Sequence, residues 1–326
     1  MHISHTLKYA FMKHEIEKKN RNHPFDTREA ECFRLAPNAD DEQNNSYYFS
    51  AHGTDGQSMF FRYAERGQKI REVWFAYFVS NRLVYANDKD VFVAQDCPAT
   101  VRCVEPGERW DFTYHTDDLD FHGVFDASEP LFDFTYHADA ASLADALAKE
   151  KWSKSFFSGL RSNSQSHQEQ QGTIRSTLVF EGKTFEMDAI AIRDHSYGHR
   201  VWSYMNRHVW VMALLDDGNA LNASFVSYPY IKELQSGYFN QQGNACKTIR
   251  SLTPMKQLDS SGIFSFAARF SDGSSVDIHC RKTAGVDYQF EKGAYTLNEG
   301  VADFVVGGVH GRGIVEFGFN GDRSRY

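Results

Sequence analysis

The run Arg71-Glu-Val-Trp-Phe-Ala-Tyr-Phe-Val-Ser80 decides the fold class of this chain. Alternate residues of an extended strand point to opposite faces, and here both faces are apolar. One face carries Val73, Phe75, Tyr77 and Val79, and the other carries Trp74, Ala76 and Phe78. The pattern predicts a strand that is buried on both sides. Asn81-Arg82 then predicts a short turn into residues 83–86, the second arm of a hairpin.

Runs with the same period of two recur through most of the sequence. They lie at 46–49, 59–63, 91–94, 173–180, 209–215, 221–228, 262–270, 275–279 and 313–319. Turn-forming residues separate many of them, as in Thr54-Asp-Gly56 and Ser271-Asp-Gly273. Strands joined by tight turns at this spacing are typical of a β-sandwich or β-barrel. We therefore predict an all-β protein.

One segment breaks this pattern. From 139 to 160 the apolar residues take helical spacing, and Leu143, Leu147, Trp152, Phe156 and Leu160 share one side. We interpret it as a helix that connects two β domains. The predicted organisation is an N-terminal extension with helical character at 1–24, a first β domain at 25–138, a connecting helix at 139–163 and a second β domain at 164–326.

The composition is that of an ordinary globular protein. Among 326 residues, 41% are hydrophobic, 24% are charged and 15% are aromatic, so the chain can bury a full core and is neither disordered nor a coiled coil. The formal net charge of −8 argues against a broad attraction to nucleic acid. The aromatic residues suit strands, and they also suit the lining of a pocket for an apolar ligand.

The first residues and the cysteines bear on the cellular location. Residues 1–20 lack the continuous apolar core of a secretory signal, and no run of ~18 apolar residues is long enough to span a membrane. The five cysteines are scattered and include no C-x-x-C pair. We therefore expect reduced thiols in a cytoplasmic protein without a transmembrane segment.

The densest polar cluster follows an apolar strand predicted at 187–192. Arg193, Asp194, His195, His199 and Arg200 lie within one short stretch. An isolated buried charge would cost several kcal/mol, so these side chains must either pair in a network or line a cavity.

This cluster resembles a known signature. Arg193-Asp-His-Ser-Tyr-Gly-x-Arg200 is similar to the R-D-H-S-W-G-x-R motif of the carotenoid 1,2-hydratase-like proteins, a superfamily that includes the lipocalin-type Diels–Alder cyclases. His167-x-Glu169-Gln170 followed by Gly172, the run 44–49 and Gly311-x-Gly313-x-x-Glu316 resemble further stretches of that superfamily. Tyr197 stands where the motif has Trp. The resemblance covers the chain from about residue 24 onward and implies two tandem lipocalin-like (calycin) β-barrel or sandwich domains.

The resemblance also implies a chemistry. A hydratase, cyclase or isomerase would hold a bulky apolar olefin, such as a terpenoid or polyketide, in a pocket at the domain junction. Asp194 would be the general acid that protonates the alkene, His195 would take part in proton transfer, and aromatic faces would stabilise the cation. The residues expected to line the pocket are Tyr197, Trp202, Tyr204, His167, Glu169, Tyr47 and Tyr48.

A structural interpretation accounts for the same residues. Asp194 lies between Arg193 and Arg200, and a guanidinium partner keeps a carboxyl group charged, which opposes a role as general acid. Glu316 interrupts an apolar strand, so we expect it to be a buried partner of Arg193 or Arg200. The protein would then bind a lipid or terpenoid without turning it over.

Other kinds of site find little support in the sequence. His195 and His199 would face the same side only on a helix, and Gly198 with its strand-like flanks opposes one, so we expect no metal site. The glycine-rich stretch 307–313 lacks the lysine of a phosphate loop, and we expect no cofactor. The expected partner is an apolar small molecule rather than nucleic acid.

Overall fold

The computed structural model describes residues 4–22, 25–53, 55–162, 165–242, 246–253, 255 and 258–325. The chain divides into two compact units. The first, here the sheet unit, comprises 26–133 and 165–200, and the second, the barrel unit, comprises 1–25, 134–164 and 201–326. The helices are α1 (His5–Asn22), α2 (Thr27–Glu31), α3 (Ala140–Lys149) and α4 (Lys154–Ser162). Over the described ranges, none of the helices has the length and apolar character needed to cross a membrane.

The sheet unit is one antiparallel sheet of eleven strands. Its strands are β1 (Gln43–His52), β2 (Ser58–Arg66), β3 (Ile70–Val79), β4 (Arg82–Ala86), β5 (Asp90–Val93), β6 (Ala99–Glu105), β7 (Arg109–His115), β8 (Leu119–Ala127), β9 (Phe132–Asp133), β10 (Gln165–Phe180) and β11 (Lys183–His199). The main order is β4-β3-β2-β1-β11-β10-β8-β7-β6, while β5 pairs with β3 and β9 pairs with β10. The predicted hairpin is present as β3 and β4.

The sheet of this unit is buried on both faces in its centre. On one face, here the inner face, Phe49 of β1 stacks on Phe112 of β7 with ring centroids 4.2 Å apart, and Phe75 of β3 lies 4.5 Å from Phe121 of β8. The opposite, outer face carries Trp74, which is 2% exposed. The prediction that the 71–80 strand is buried on both sides is confirmed. Much of the aromatic content is therefore packing.

The barrel unit is built around a closed antiparallel barrel. Its strands are β12 (Arg207–Leu215), β13 (Ala220–Tyr228), β14 (Ile231–Asn240), β15 (Lys247–Thr253), β16 (Ile263–Phe270), β17 (Ser275–Phe290), β18 (Tyr295–Val306) and β19 (Val309–Asn320). The barrel closes where β12 pairs with β19, so that the first and last strands are not edges. Apolar side chains fill the interior, among them Val211, Phe225 and Phe317. The predicted all-β fold class is confirmed.

The division of the chain differs from the predicted domain ranges. β10 and β11 follow the helices in sequence, yet β11 pairs with β1 and β10 pairs with β8, so both strands complete the first sheet. These long strands satisfy their backbone hydrogen bonds on both sides in that position. The predicted single helix at 139–163 is present as α3 and α4, separated where Glu150 adopts an extended conformation.

Gly172 of β10 lies where the sheet has no room for a side chain. A Cβ atom there would be 2.3 Å from the backbone oxygen of Asp126 and 2.6 Å from the Phe125 ring. We expect Gly172→Ala to lower the free energy of unfolding by about 1–3 kcal/mol in urea denaturation. The control Thr173→Ala, on the exposed side of the same strand, should change it by less than about 0.5 kcal/mol. An alanine variant as stable as the wild type would contradict this prediction.

Candidate active site

The signature segment lies at the end of β11 and is extended, so its residues alternate between the two faces of the sheet. His195 stacks on Tyr47 at the inner face, with ring centroids 4.4 Å apart. Asp194 lies at the outer face, where it accepts a hydrogen bond from Ser196 at 2.8 Å. The two residues expected to act together in catalysis are therefore separated by the thickness of the sheet.

Arg193 forms a buried ion pair with Glu31 at the inner face. Its Nη1 donates to Glu31 Oε1 at 3.0 Å, and its Nη2 lies 2.9 Å from Oε2. The indole N–H of Trp110 also donates to Oε2 at 3.0 Å. Both members of the pair are 0% exposed. Burial is the largest single influence and would raise the pKa of Glu31, but Arg193 and His195 together outweigh it and lower the pKa to about 2.

His195 completes this inner cluster, which we define as Glu31, Arg193, His195, Asn45 and Gln170. The His195 Nε2 lies 2.9 Å from Asn45 Oδ1, and Gln170 Oε1 accepts from Arg193 Nη2 at 2.7 Å. Burial lowers the pKa of His195, and Arg193 acts in the same direction against the nearby Glu31 carboxylate. Because the His195 ring is fully enclosed, this cluster has the properties of a structural network.

A second set of ionisable groups lies at the outer face, and we call it the outer cluster: His167, Glu169, Asp194 and Ser196. His167 Nδ1 lies 2.9 Å from Ser196 Oγ and 3.5 Å from Asp194 Oδ2, while its Nε2 lies 3.2 Å from Glu169 Oε1. Glu169 is 0% exposed, whereas the side chains of Asp194 and His167 are 17% and 19% exposed. Asp194 is thus the more accessible of the two carboxylates.

The hydrogen bonds of His167 indicate its protonation state. Ser196 donates its one hydroxyl proton to Asp194, so it can only accept from His167 Nδ1. The other ring nitrogen faces the Glu169 carboxylate, which also only accepts when ionised. Both nitrogens then donate, as in an imidazolium. Burial alone would lower the pKa of His167, but Asp194 and Glu169 outweigh it and raise the pKa.

Two arginines flank the outer cluster, Arg62 of β2 and Arg200, which directly follows β11. Arg62, which is 3% exposed, stacks over the ring of Trp74 at 4.2 Å and donates to Asn44 Oδ1 at 3.2 Å. Burial is the largest influence on its pKa and lowers it to about 9, although Glu72 opposes this. Arg200 donates twice to Gln165 Oε1, at 3.0 and 2.9 Å. The outer face of the sheet is therefore buried here and carries several charged side chains.

The other expected pocket residues do not gather at one place in the sheet unit. Tyr48 is the cross-strand neighbour of Asp194 on the outer face. Tyr47 and Tyr197 belong to the inner face, where Tyr197 stacks on Phe33 at 4.0 Å. Trp202 and Tyr204 belong to the barrel unit, where Trp202 packs on Phe290 at 4.3 Å and Tyr204 lies 6.3 Å from Tyr228.

Glu316 is also a barrel-unit residue. Its carboxylate lies 3.4 Å from Nε2 of His208, whose Nδ1 is 2.7 Å from the Tyr295 hydroxyl. The carboxylate that pairs with Arg193 is Glu31 rather than Glu316. The Glu316–His208 pair lies within the barrel unit, and the expected pairing of Glu316 with Arg200 stays a prediction.

Sequence reasoning missed Glu31 and the two β2 arginines. Glu31 ends a five-residue helix 162 positions from Arg193, and nothing local marks it as a partner. Arg62 and Arg66 could have been identified from the sequence, because charged residues interrupt an otherwise apolar strand at these positions. In the described part of the chain, no group of three or more His, Cys, Asp or Glu side chains is arranged to hold a metal ion.

Comparison with solved structures finds several proteins of the same fold. A protein described as AttH from Nitrosomonas europaea has a TM-score of 0.59 and 14% identity, over 85% of this chain and 92% of that one. Kievitone hydratase from Nectria haematococca has a TM-score of 0.57 and 10% identity, over 93% and 98%. CghA, solved with Sch210972, has a TM-score of 0.50 and 10% identity, over 88% and 89%.

These neighbours confirm the predicted resemblance, and at such identities the likeness concerns the fold. No curated protein sequence is significantly similar to this chain. One family model does match, and it spans residues 28–321, nearly the whole sequence and both units. The chain therefore belongs to the DUF7064 family, a domain of unknown function.

Proposed function

We propose that this protein is a hydratase, cyclase or isomerase of an apolar olefinic metabolite, such as a terpenoid or polyketide, and that the outer cluster is its acid–base site. The observation that carries the proposal is His167, held between Asp194 and Glu169 at 3.5 and 3.2 Å. An imidazolium held between two carboxylates can supply a proton within a buried site. The fold shared with kievitone hydratase supports the same reaction class.

In the proposed reaction, Asp194 delivers the proton, because it is more exposed than Glu169. His167 supplies that proton to Asp194 as it reaches the alkene. The proton bonds to one alkene carbon, and the positive charge left on the other carbon is stabilised by the carboxylates. In hydration, a water oxygen bonds to that carbon and the surplus water proton returns to the His167–Asp194 pair. In cyclisation, an internal alkene supplies the electrons, and the proton returns from a neighbouring carbon.

The inner cluster has a positioning role in this proposal. His195 is fully enclosed and does not reach the face that carries Asp194. Arg193 and Glu31 fix the backbone of β11 from the inner side, and this holds the alternate residues Asp194 and Ser196 at the outer side.

The reaction class is tested in heavy water. The purified protein is incubated in D2O with linear polyenes, prenylated phenols and unsaturated polyketides, and the products are separated and weighed by mass spectrometry. A hydrated product gains the mass of D2O, an isomerised product can gain deuterium, and a cyclised product changes retention. Recovery of every compound unchanged, while one remains bound to the protein, would instead indicate a carrier and would refute the proposed function.

The pH dependence of the reaction offers a second test. His167 has a raised pKa, so its proton is present below that pKa and activity should fall as pH rises through a value above 6.5. In Glu169→Gln one of the groups that raise this pKa is removed, and the alkaline limb of kcat/KM should move down by about one pH unit or more. Glu186→Gln, on an exposed part of β11, should leave the limb in place. If Glu169→Gln left the alkaline limb of the kcat/KM profile in place, His167 would not be the proton source.

A further inference from the structure

Helix α1 presents large apolar side chains to solvent. Leu7 and Phe11 are 65% and 53% exposed, and their spacing of four residues places them together on one side of the helix. On the opposite side α1 packs along α3, and there Met12 and Ile16 are partly buried. Leu7 and Phe11 therefore form an exposed apolar surface that does not serve to hold the helix in place.

Trp152, which follows α3, extends this apolar surface. The rings of Phe11 and Trp152 lie 5.9 Å apart with the edge of one toward the face of the other, and Lys8 Nζ lies 5.5 Å from the centre of the Trp152 ring. Lys8 also donates to the backbone oxygen of Glu150 at 2.6 Å, which fixes α1 beside the junction of α3 and α4. We call Leu7, Phe11 and Trp152 the apolar patch.

Exposed positive charges lie on the same elements as the apolar patch. α1 contains five lysine and arginine residues and two glutamates, a net charge of +3, whereas the whole chain carries −8. Lys18 and Arg21 are exposed and continue the side of the helix that carries the apolar patch. Lys151 and Lys154 are also exposed and lie within two residues of Trp152 in the chain. The sign of the charge here is opposite to that of the protein as a whole.

Exposed aromatic and leucine side chains beside lysine and arginine are the combination that binds the surface of an anionic membrane. The apolar side chains enter the boundary between headgroups and acyl chains, while the cations stay at the level of the phosphates. A second copy of this chain fits the surface less well. A twofold contact would bring the same cationic surface of both copies face to face, which is unfavourable.

We propose that α1 and Trp152 attach the barrel unit to the surface of an anionic membrane. Leu7, Phe11 and Trp152 enter the lipid interface, and Lys18 and Arg21 bind the phosphate oxygens of anionic headgroups. The attachment is peripheral and reversible, because a few apolar side chains and cations bind far less strongly than a membrane-spanning helix. The outer cluster belongs to the sheet unit, so membrane binding is measured independently of any reaction there.

Sedimentation with sucrose-loaded vesicles tests the attachment. The full chain is mixed with vesicles of phosphatidylcholine alone, or of phosphatidylcholine and phosphatidylglycerol at about 2:1, and the bound fraction is measured. Binding to the anionic vesicles should be about tenfold stronger or more at about 50 mM salt, and most of that preference should disappear at about 0.5 M salt. Leu7→Ser combined with Phe11→Ser should weaken binding to anionic vesicles by about tenfold or more, and so should Lys18→Gln combined with Arg21→Gln.

Control variants change the same kinds of side chain elsewhere in the barrel unit. Ile263 of β16 is 75% exposed, and Ile263→Ser removes its apolar surface. Arg269→Gln combined with Arg281→Gln removes two exposed cations and changes the net charge as much as the α1 variant does. Both controls should bind anionic vesicles within about twofold of the wild type, because distant exposed charges are screened.

Several results would overturn the inference. Wild-type binding to anionic vesicles that is no stronger than to neutral ones would exclude the anionic membrane. Wild-type binding by either α1 double variant, with its fold verified by circular dichroism, would exclude α1 as the attachment. Equal weakening in the Arg269→Gln, Arg281→Gln control would show that net charge alone decides binding. A dimer in lipid-free buffer that dissociates in the Leu7→Ser, Phe11→Ser variant would instead assign the apolar patch to a contact between two copies.

Discussion

Replacing Arg193 by methionine is expected to lower the free energy of unfolding by about 3–5 kcal/mol. The substitution leaves the Glu31 carboxylate fully buried without its cationic partner, and it also removes the donor to Gln170. Urea denaturation at pH 7, followed by tryptophan fluorescence, measures the change. Arg175→Met removes an exposed arginine from the same unit and should alter the free energy of unfolding by less than about 1 kcal/mol.

A double variant shows whether the loss belongs to the pair. Once Glu31 is replaced by methionine, the Arg193→Met substitution no longer strands a buried carboxylate. The loss from Arg193→Met should therefore be about 1–3 kcal/mol smaller in the Glu31→Met background than in the wild type. Strictly additive losses would show that the two side chains do not stabilise the protein through each other.

The same pair predicts how stability depends on pH. The pKa of Glu31 falls from 4.5 to about 2 on folding, so the pair stabilises the protein above pH 4.5 and this contribution is lost as pH falls toward 2. Folding also lowers the pKa of His195, so His195 likewise reduces the free energy of unfolding as pH falls below about 6.5. Because Glu31 and Arg193 also act on the pKa of His195, the stability difference between the wild type and the double variant contains the ion pair and its effect on His195. That difference should shrink between pH 4.5 and 2.

Alternation along the strands was the part of the structure most open to prediction. The 71–80 run is apolar on both faces, and in the structure it is a strand buried on both sides, as near-continuous apolar strands are. The same rule, applied to the signature, separates Arg193 and His195 from Asp194 and Ser196. The resemblance implied that Asp194 and His195 act together, although neighbours on a strand point to opposite faces.

Long-range pairing was not open to prediction from one sequence. The partner of Arg193 is a glutamate that ends a five-residue helix. The strands β1 and β8, which pair with β11 and β10, precede α3 and α4 in the sequence. Segment order suggested a boundary at the helix, but strand pairing across it placed β10 and β11 with the first sheet. Pairing energy depends on faces that meet only in the folded chain, and local patterns do not record it.

Asp194→Asn is expected to lower kcat by about 10²–10⁴-fold on whichever olefin the heavy-water screen identifies. An amide keeps the shape of the side chain and still accepts from Ser196 at its oxygen, yet it cannot deliver a proton. Stability should change little, because the side chain is partly exposed and its main partners remain. Single-turnover kinetics and urea denaturation on the same preparation measure the two effects.

Asp188→Asn is the matched control, because Asp188 is an exposed aspartate of β11, an even number of residues from Asp194 and so on the same face. It should retain wild-type kcat. If Asp194→Asn lost stability and activity in parallel, its role would be structural, as an ion-paired carboxylate would be. A folded Asp194→Asn with wild-type kcat would exclude Asp194 as the acid and leave His167 to act alone. Loss of turnover in a variant that keeps wild-type stability would assign proton transfer to Asp194.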